Sequence, residues 1–219
     1  MPRPSDPELL VLHGLRLRGF AEVDDLAARI GLSPSQVASL LESYERGGYV
    51  RHRAGRVSGW TLTAAGRAAG EQMLAAELDA AGGRTAVTDA YHRFLARNGE
   101  MLAVCTAWQM REVDGRQVVN DHSDPGYDAA VVGELVRIDA AVQPVCDALA
   151  DVLTRFAGYG PRFTHALERV RAGERDWFTK PTIDSYHTVW FELHENLLAT
   201  LGIARGSETP NPIVSRGGV

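Results

Sequence analysis

Between Arg46 and Arg67 the chain carries five arginines, Arg46, Arg51, Arg53, Arg56 and Arg67, together with His52, and not one aspartate or glutamate. The chain as a whole is acidic, with 23 lysines and arginines against 28 aspartates and glutamates and a formal net charge of −5. Cations gathered on one segment of an anionic chain mark where a polyanion would dock, more so than a uniformly basic composition. The plainer alternative is a solvated hairpin edge whose charge keeps it from pairing with other strands. Directly ahead of this run, Ser33, Ser35, Gln36, Ser39 and Ser43 offer short hydroxyl and amide groups. Such groups reach phosphates or base edges, with glutamine suited to adenine and serine tolerant of several bases.

These side chains need a helix and a hairpin to hold them. Ser33 can cap a helix over 34–46, with Pro34 at its first position and Gln36 at the capping-box spacing. Val37, Leu40, Leu41 and Tyr44 form an apolar stripe, so Ser35, Gln36, Ser39, Glu42, Ser43 and Arg46 face outward. Gly47 and Gly48 end the helix by taking left-handed backbone conformations. Residues 49–53 then run extended, Ala54-Gly55 turns, and 57–62 returns, which makes a two-stranded hairpin over 49–62.

Upstream, residues 7–18 form a first helix whose buried side is Leu9, Leu10, Leu12, Leu15 and Leu17, ended by Gly19. Residues 20–23 are extended, and Asp24 caps a second helix over 25–30. Helix, short strand, helix, turn, helix and hairpin is the order of a winged helix-turn-helix, in which the third helix enters the major groove and the hairpin lies along the phosphates. The segment DDLAARIGLSPSQVASLLESYERGGYV, a hairpin and then Leu62-Thr63-Ala64-Ala65-Gly66-Arg67 resembles the winged-helix transcriptional regulators of the MarR-like type, whose post-wing helix opens on an L-T-x-x-G-R segment. The resemblance spans roughly residues 7–82, and typical members are shorter, with no helical region of this size behind the wing. It implies DNA binding through Ser33, Ser35, Gln36, Ser39, Ser43, Arg46, Arg51, His52, Arg53 and Arg56, and it implies no ligand.

Past Gly82-Gly83 the balance shifts to 14 basic against 18 acidic residues, so this region is not a second nucleic-acid surface. It reads as helical: a long helix from Thr85 or Thr88, bent near Asn98-Gly99; a hairpin or turn at Asp114-Gly115; a loop over 120–126. A helix over 128–156 follows, kinked or restarted at Pro144, then a break at 158–161, a helix from Arg162, a loop over 173–181 and a last helix over 184–201. A tail over 205–219 is expected to be disordered.

Three constellations there could carry chemistry. Arg175, Trp177, Phe178 and Lys180 place two cations and two aromatics on one loop, which could close over an aromatic or acyl anion; the alternative is a loop pinned by buried rings. His187 and His194 lie seven apart with Glu192 and Glu195 close by, but His194-Glu195 lacks the second histidine of H-E-x-x-H, so no metal is assigned. Asp121-His122-Ser123-Asp124 holds acid, base and nucleophile on adjacent positions, whereas a triad is assembled from separate elements; turn chemistry accounts for them, and no catalytic residue or cofactor is assigned. Cys105 and Cys146 read as reduced core residues.

The sequence therefore predicts a mainly α chain: a winged helix-turn-helix of three helices plus a β-hairpin with its linker helix over 1–82, then a helical domain over 83–204. The apolar runs are too short to span a membrane and the first six residues lack a secretory layout, which points to the cytoplasm. The expected function is a transcriptional regulator that binds double-stranded DNA. One short recognition helix reads few bases, so a homodimer on a palindromic operator with half-sites about 34 Å apart is expected. The helical region would dimerise and respond to a small-molecule effector. The alternative is a helical enzyme or protein-interaction domain that uses the winged helix as a docking module.

Overall fold

The structure, a computed structural model, describes residues 1–55, 58–204 and 206. Arg56, Val57 and, Gly206 apart, the tail expected to be disordered lie outside the described residues. The described residues are mainly helical, with two small antiparallel sheets of two strands each. It divides into two compact units: residues 1–84 with 150–155 and 194–203, and residues 85–149 with 156–193. Among the described residues no helix is long and apolar enough to cross a membrane.

The first unit opens with α1 (Pro7–Arg18), which has proline at its first position and Gly19 at its end. Its buried residues are Leu9, Val11, Leu12, His13 and Leu15, while Leu10 and Leu17 are only half-buried. The leucine pattern thus points the face slightly wrong and misses a buried histidine. Helix α2 (Val23–Ile30) starts ahead of the expected Asp24 cap, with Glu22 at the cap position and no side-chain bond there. Asp24 and Asp25 instead sit in its first turn, where their charge complements the helix dipole. In α3 (Pro34–Arg46) Ser33 does cap, its hydroxyl accepting from the Gln36 amide at 3.3 Å. Only Gly48, at φ 75°, is left-handed after α3; Gly47 stays helical at φ −79°.

Strands β1 (Val50–Arg53) and β2 (Gly59–Leu62) pair with Val50 opposite Leu62 and His52 opposite Trp60. Ala21 adds a further rung, exchanging both backbone bonds with Trp60. Helix α4 (Ala64–Ala80) begins at Thr63, whose hydroxyl accepts from the Gly66 amide at 3.1 Å and donates to the Gly48 carbonyl at 2.7 Å. A Cβ on Gly66 would lie 1.9 Å from the Tyr49 carbonyl oxygen, so only glycine lets α4 sit on the hairpin's entry. Val11, Leu12, Leu15, Leu26, Val37, Leu41 and Val50 form the shared core, each contributing about 1.5–3 kcal/mol by leaving water.

A buried polar network lies in the same unit. His13 Nε2 meets Asn196 Oδ1 at 2.9 Å. Arg155 reaches Glu77 at 2.9 Å, Thr200 at 2.8 Å and also Asn196, with the Arg155 and Glu77 side chains only 4% and 6% exposed. Burial, followed by the charge of Arg155, lowers the His13 pKa to about 3, so the imidazole is neutral.

In the second unit α5 (Arg84–Gln109) runs unbroken through Asn98-Gly99. Asn98 is held by a tertiary contact, its side-chain oxygen accepting from the Trp190 ring N–H at 3.0 Å. Strands β3 (Met110–Val113) and β4 (Arg116–Val119) form a hairpin, with Asp114 and Gly115 both at positive φ in its turn. Helix α6 (Pro125–Ala150) starts inside the expected loop because Asp124 accepts from the Gly126 and Tyr127 amides at 2.9 and 3.0 Å. It continues through Pro144, since Leu135, Ile138, Val142, Val145, Cys146 and Leu149 are buried on both sides of it.

Beyond a short 3₁₀ turn, Thr154–Phe156, helix α7 (Tyr159–Arg171) takes Pro161 into its first turn, where no amide donor is needed, so the expected break is absent. A short helix, α8 (Asp176–Thr179), replaces the middle of the 173–181 loop. Helix α9 (Tyr186–Leu201) starts two residues later than expected, after Ser185, whose hydroxyl accepts from the Thr188 amide at 3.3 Å. Stacked pairs Phe94–Trp190 and Trp108–Phe178, with ring centroids 4.4 and 4.3 Å apart, mark this unit's core. Arg162 sets both terminal nitrogens on Glu192 at 2.9 and 3.0 Å.

Candidate nucleic-acid interface

The capped start of α3 fixes which way its faces point. Val37 and Leu41 are fully buried and Leu40 and Tyr44 half-buried, so the opposite face is turned outward. Ser33, Ser35, Gln36, Ser39, Ser43 and Arg46 are all exposed on it. Among the described residues the Gln36 side-chain amide on this face has no partner, and the Ser33 and Ser35 hydroxyls meet at 3.2 Å.

The hairpin follows at once. Arg51, His52 and Arg53 are exposed on β1, while Val50 anchors that strand in the core. Among the described residues no ion pair engages Arg46, Arg51, Arg53 or Arg67. The expected contact at Arg56 lies outside the described residues. His52 is held in place: its ring is 4.8 Å from the Trp60 ring, its Nε2 is 3.3 Å from the Ser58 hydroxyl, and its backbone amide donates to Glu45 at 3.2 Å. Glu45 and Trp60, which order the base of the hairpin, carry no sequence signal of that role beyond proximity.

The described members of the expected DNA set thus fall on two consecutive elements of one unit, α3 and β1. Tyr44 and Tyr49 brace them edge-on at 5.9 Å, and burial pushes the Tyr44 phenol up to about 12, so it stays neutral.

The loop residues of the second unit are dispersed. Phe178 is fully buried against Trp108; Trp177 is half-buried, edge-on to His165 at 5.0 Å with Arg169 over its ring; Lys180 pairs with Asp176 at 2.6 Å. Arg175 alone faces away, its guanidinium donating to the His122 carbonyl at 3.2 Å. Of the expected set Arg175, Trp177, Phe178 and Lys180, Phe178 is taken into the core and the other three make separate local contacts, so the four side chains do not converge. Asp121 and Ser123 meet at 2.7 Å and Arg111 joins Asp121 at 2.9 Å, whereas His122 turns to Asp128 at 3.0 Å, so the four adjacent positions are split between two networks. His187 is exposed and His194 buried, and the described residues hold no group of three or more metal-ligating side chains. Cys105 and Cys146 are buried free thiols, both pushed up to about 12 by burial.

No family model, no curated protein and no solved structure matches the chain.

Proposed function

We propose that the chain is a DNA-binding transcriptional regulator of the winged helix-turn-helix type, similar to the MarR-like regulators, acting in the cytoplasm. The observation that carries the reading is the pairing of a polar, outward α3 face with the exposed, unpaired cations of Arg46, Arg51 and Arg53 in a chain of net charge −5. The order of three helices, a hairpin and a capped fourth helix supports the reading. In this reading α3 enters the major groove with Gln36 and the serines toward base edges, while the hairpin arginines neutralise phosphates.

The regulator acts as a homodimer on a two-fold operator, which doubles a contact set too small to be specific alone. The exposed apolar side chains Leu102, Val118 and Val119 of the second unit offer that dimer a surface. A small-molecule effector bound in the second unit would shift the equilibrium between two spacings of the recognition helices.

The test is fluorescence anisotropy on a random-sequence duplex over a salt series. The full chain should bind, with affinity falling as salt rises. Arg51→Gln and Arg53→Gln should each flatten the logarithmic salt slope by about 0.9 and weaken all sequences alike. A chain that binds no duplex at low salt, or whose salt slope both substitutions leave untouched, overturns the proposal.

A further inference from the structure

A cleft of about 620 Å³ in the second unit is bounded by Trp108, His122, Val132, Val170, Arg171 and Arg175, with Asp128 on the same wall. Its floor is apolar: Trp108 and Val170 are 6% and 5% exposed. Its rim is cationic for a reason visible in the local pairing. Along the segment that ends α7 and carries α8, Glu174 is taken by Arg169 at 2.5 Å and Asp176 by Lys180 at 2.6 Å. Among the described residues, no ion pair engages Arg171 or Arg175, and both are exposed on this cleft.

The one carboxylate on the wall is occupied from within. Asp128 accepts from Asn120 at 2.9 Å and meets His122 Nδ1 at 3.0 Å through both oxygens. Partial burial opposes its charge, but the bonds from Asn120 and His122 and the nearby His122 and Arg175 charges hold its carboxyl below the usual range. Asp128 orients the His122 ring through Nδ1, with that ring 4.5 Å from the Trp108 ring and Nε2 without a partner among the described residues. Arg175 is in turn steadied by the His122 carbonyl.

We infer that this cleft binds a small organic carboxylate with an aryl or short acyl body. Two guanidiniums of fixed fork geometry meet the carboxylate, and Trp108, Val132 and Val170 cover the apolar end. An inorganic phosphate satisfies the cations and leaves the apolar floor uncovered, so it is the weaker ligand. The inference stands apart from the DNA reading, since it concerns binding by the second unit and is measured without nucleic acid.

The experiment is calorimetric titration of the full chain with benzoate, with hexanoate and with inorganic phosphate, repeated on Arg171→Gln and Arg175→Gln. Both substitutions fall on exposed side chains, and circular dichroism confirms the fold of each variant. Saturable binding of benzoate or hexanoate, weakened at least about tenfold in each variant, is the expected result. Absence of saturable binding for both acids overturns the inference. So does binding that neither substitution alters, or phosphate binding as tight as that of the acids.

Discussion

Titrating the first unit's buried histidine should expose how much stability its polar network stores. His13 is 4% exposed and gives its Nε2–H to Asn196, leaving Nδ1 buried without a partner. Burial first, and then the charge of Arg155 beside it, oppose a cation there, which is why its pKa falls from 6.5 to about 3. The folded value lies below the unfolded one, so between these limits the unfolded chain binds more protons, and stability falls as pH drops through 6.5 toward 3. Lowering the pH from 7 to 5 should therefore cost about 2 kcal/mol from this group alone, a large share of the roughly 5–15 kcal/mol that holds a domain together.

The comparison that isolates the effect is His13→Leu, similar in volume and unable to titrate. Asn196 keeps Arg155 as a donor in that variant, so its stability at pH 7 should stay within about 1.5 kcal/mol of the parent. Urea unfolding of both proteins at pH 7 and pH 5 gives the four free energies. The variant's loss should be smaller than the parent's by about 2 kcal/mol. Equal losses, or a His13 ring that titrates near 6.5 by NMR, would refute the assignment of a neutral, caged imidazole.

Two further outcomes bear on the proposed function. Gln36→Ala, on an exposed position that no core contact uses, should relax preference at one base pair at a cost of about 1–3 kcal/mol while leaving the salt slope unchanged; selection from a randomised duplex pool reads it, and an unaltered preference removes Gln36 from base contact. Leu102→Glu, at a side chain 67% exposed, should leave the fold intact, shift sedimentation toward monomer and weaken operator binding; a dimer that persists moves the interface elsewhere.

What could be read from the chain follows from how local its cause is. The bounds of α1 coincide with the expected ones because proline at its start and Gly19 at its end act within a turn of themselves. The Ser33 cap was legible for the same reason, spanning three residues. Tertiary contacts defeat such reasoning. Asn98-Gly99 looked like a bend, yet Trp190, 92 positions away, occupies the Asn98 side chain. Phe178 looked available to a ligand, but Trp108 takes it into the core. The network of His13, Glu77, Arg155, Asn196 and Thr200 was invisible, since its members lie as far as 183 positions apart and each alone reads as a solvated polar residue. Arg171 became distinctive, and Arg175 gained it as a neighbour on one cleft, only once Glu174 and Asp176 were seen to be spoken for.

The same pairing argument explains how an acidic chain can present a cationic hairpin. Carboxylates of the first unit are matched by arginines of the same unit that lie outside the hairpin: Glu71 holds Arg16 at 2.5 Å, Asp79 holds Arg84 at 2.9 Å, and Glu77 holds Arg155 at 2.9 Å. Glu45, the acid that does contact the hairpin, spends an oxygen on the His52 backbone amide. On the α3 face itself Glu42 is exposed among the serines, and a carboxylate there can accept from the cytosine amino group while repelling phosphates. Among the described residues Arg46, Arg51 and Arg53 stand in no ion pair, while Arg16, Arg84 and Arg155 of the same unit do. A surface that must exchange counterions for a polyanion requires unpaired arginines, because an arginine already paired releases none.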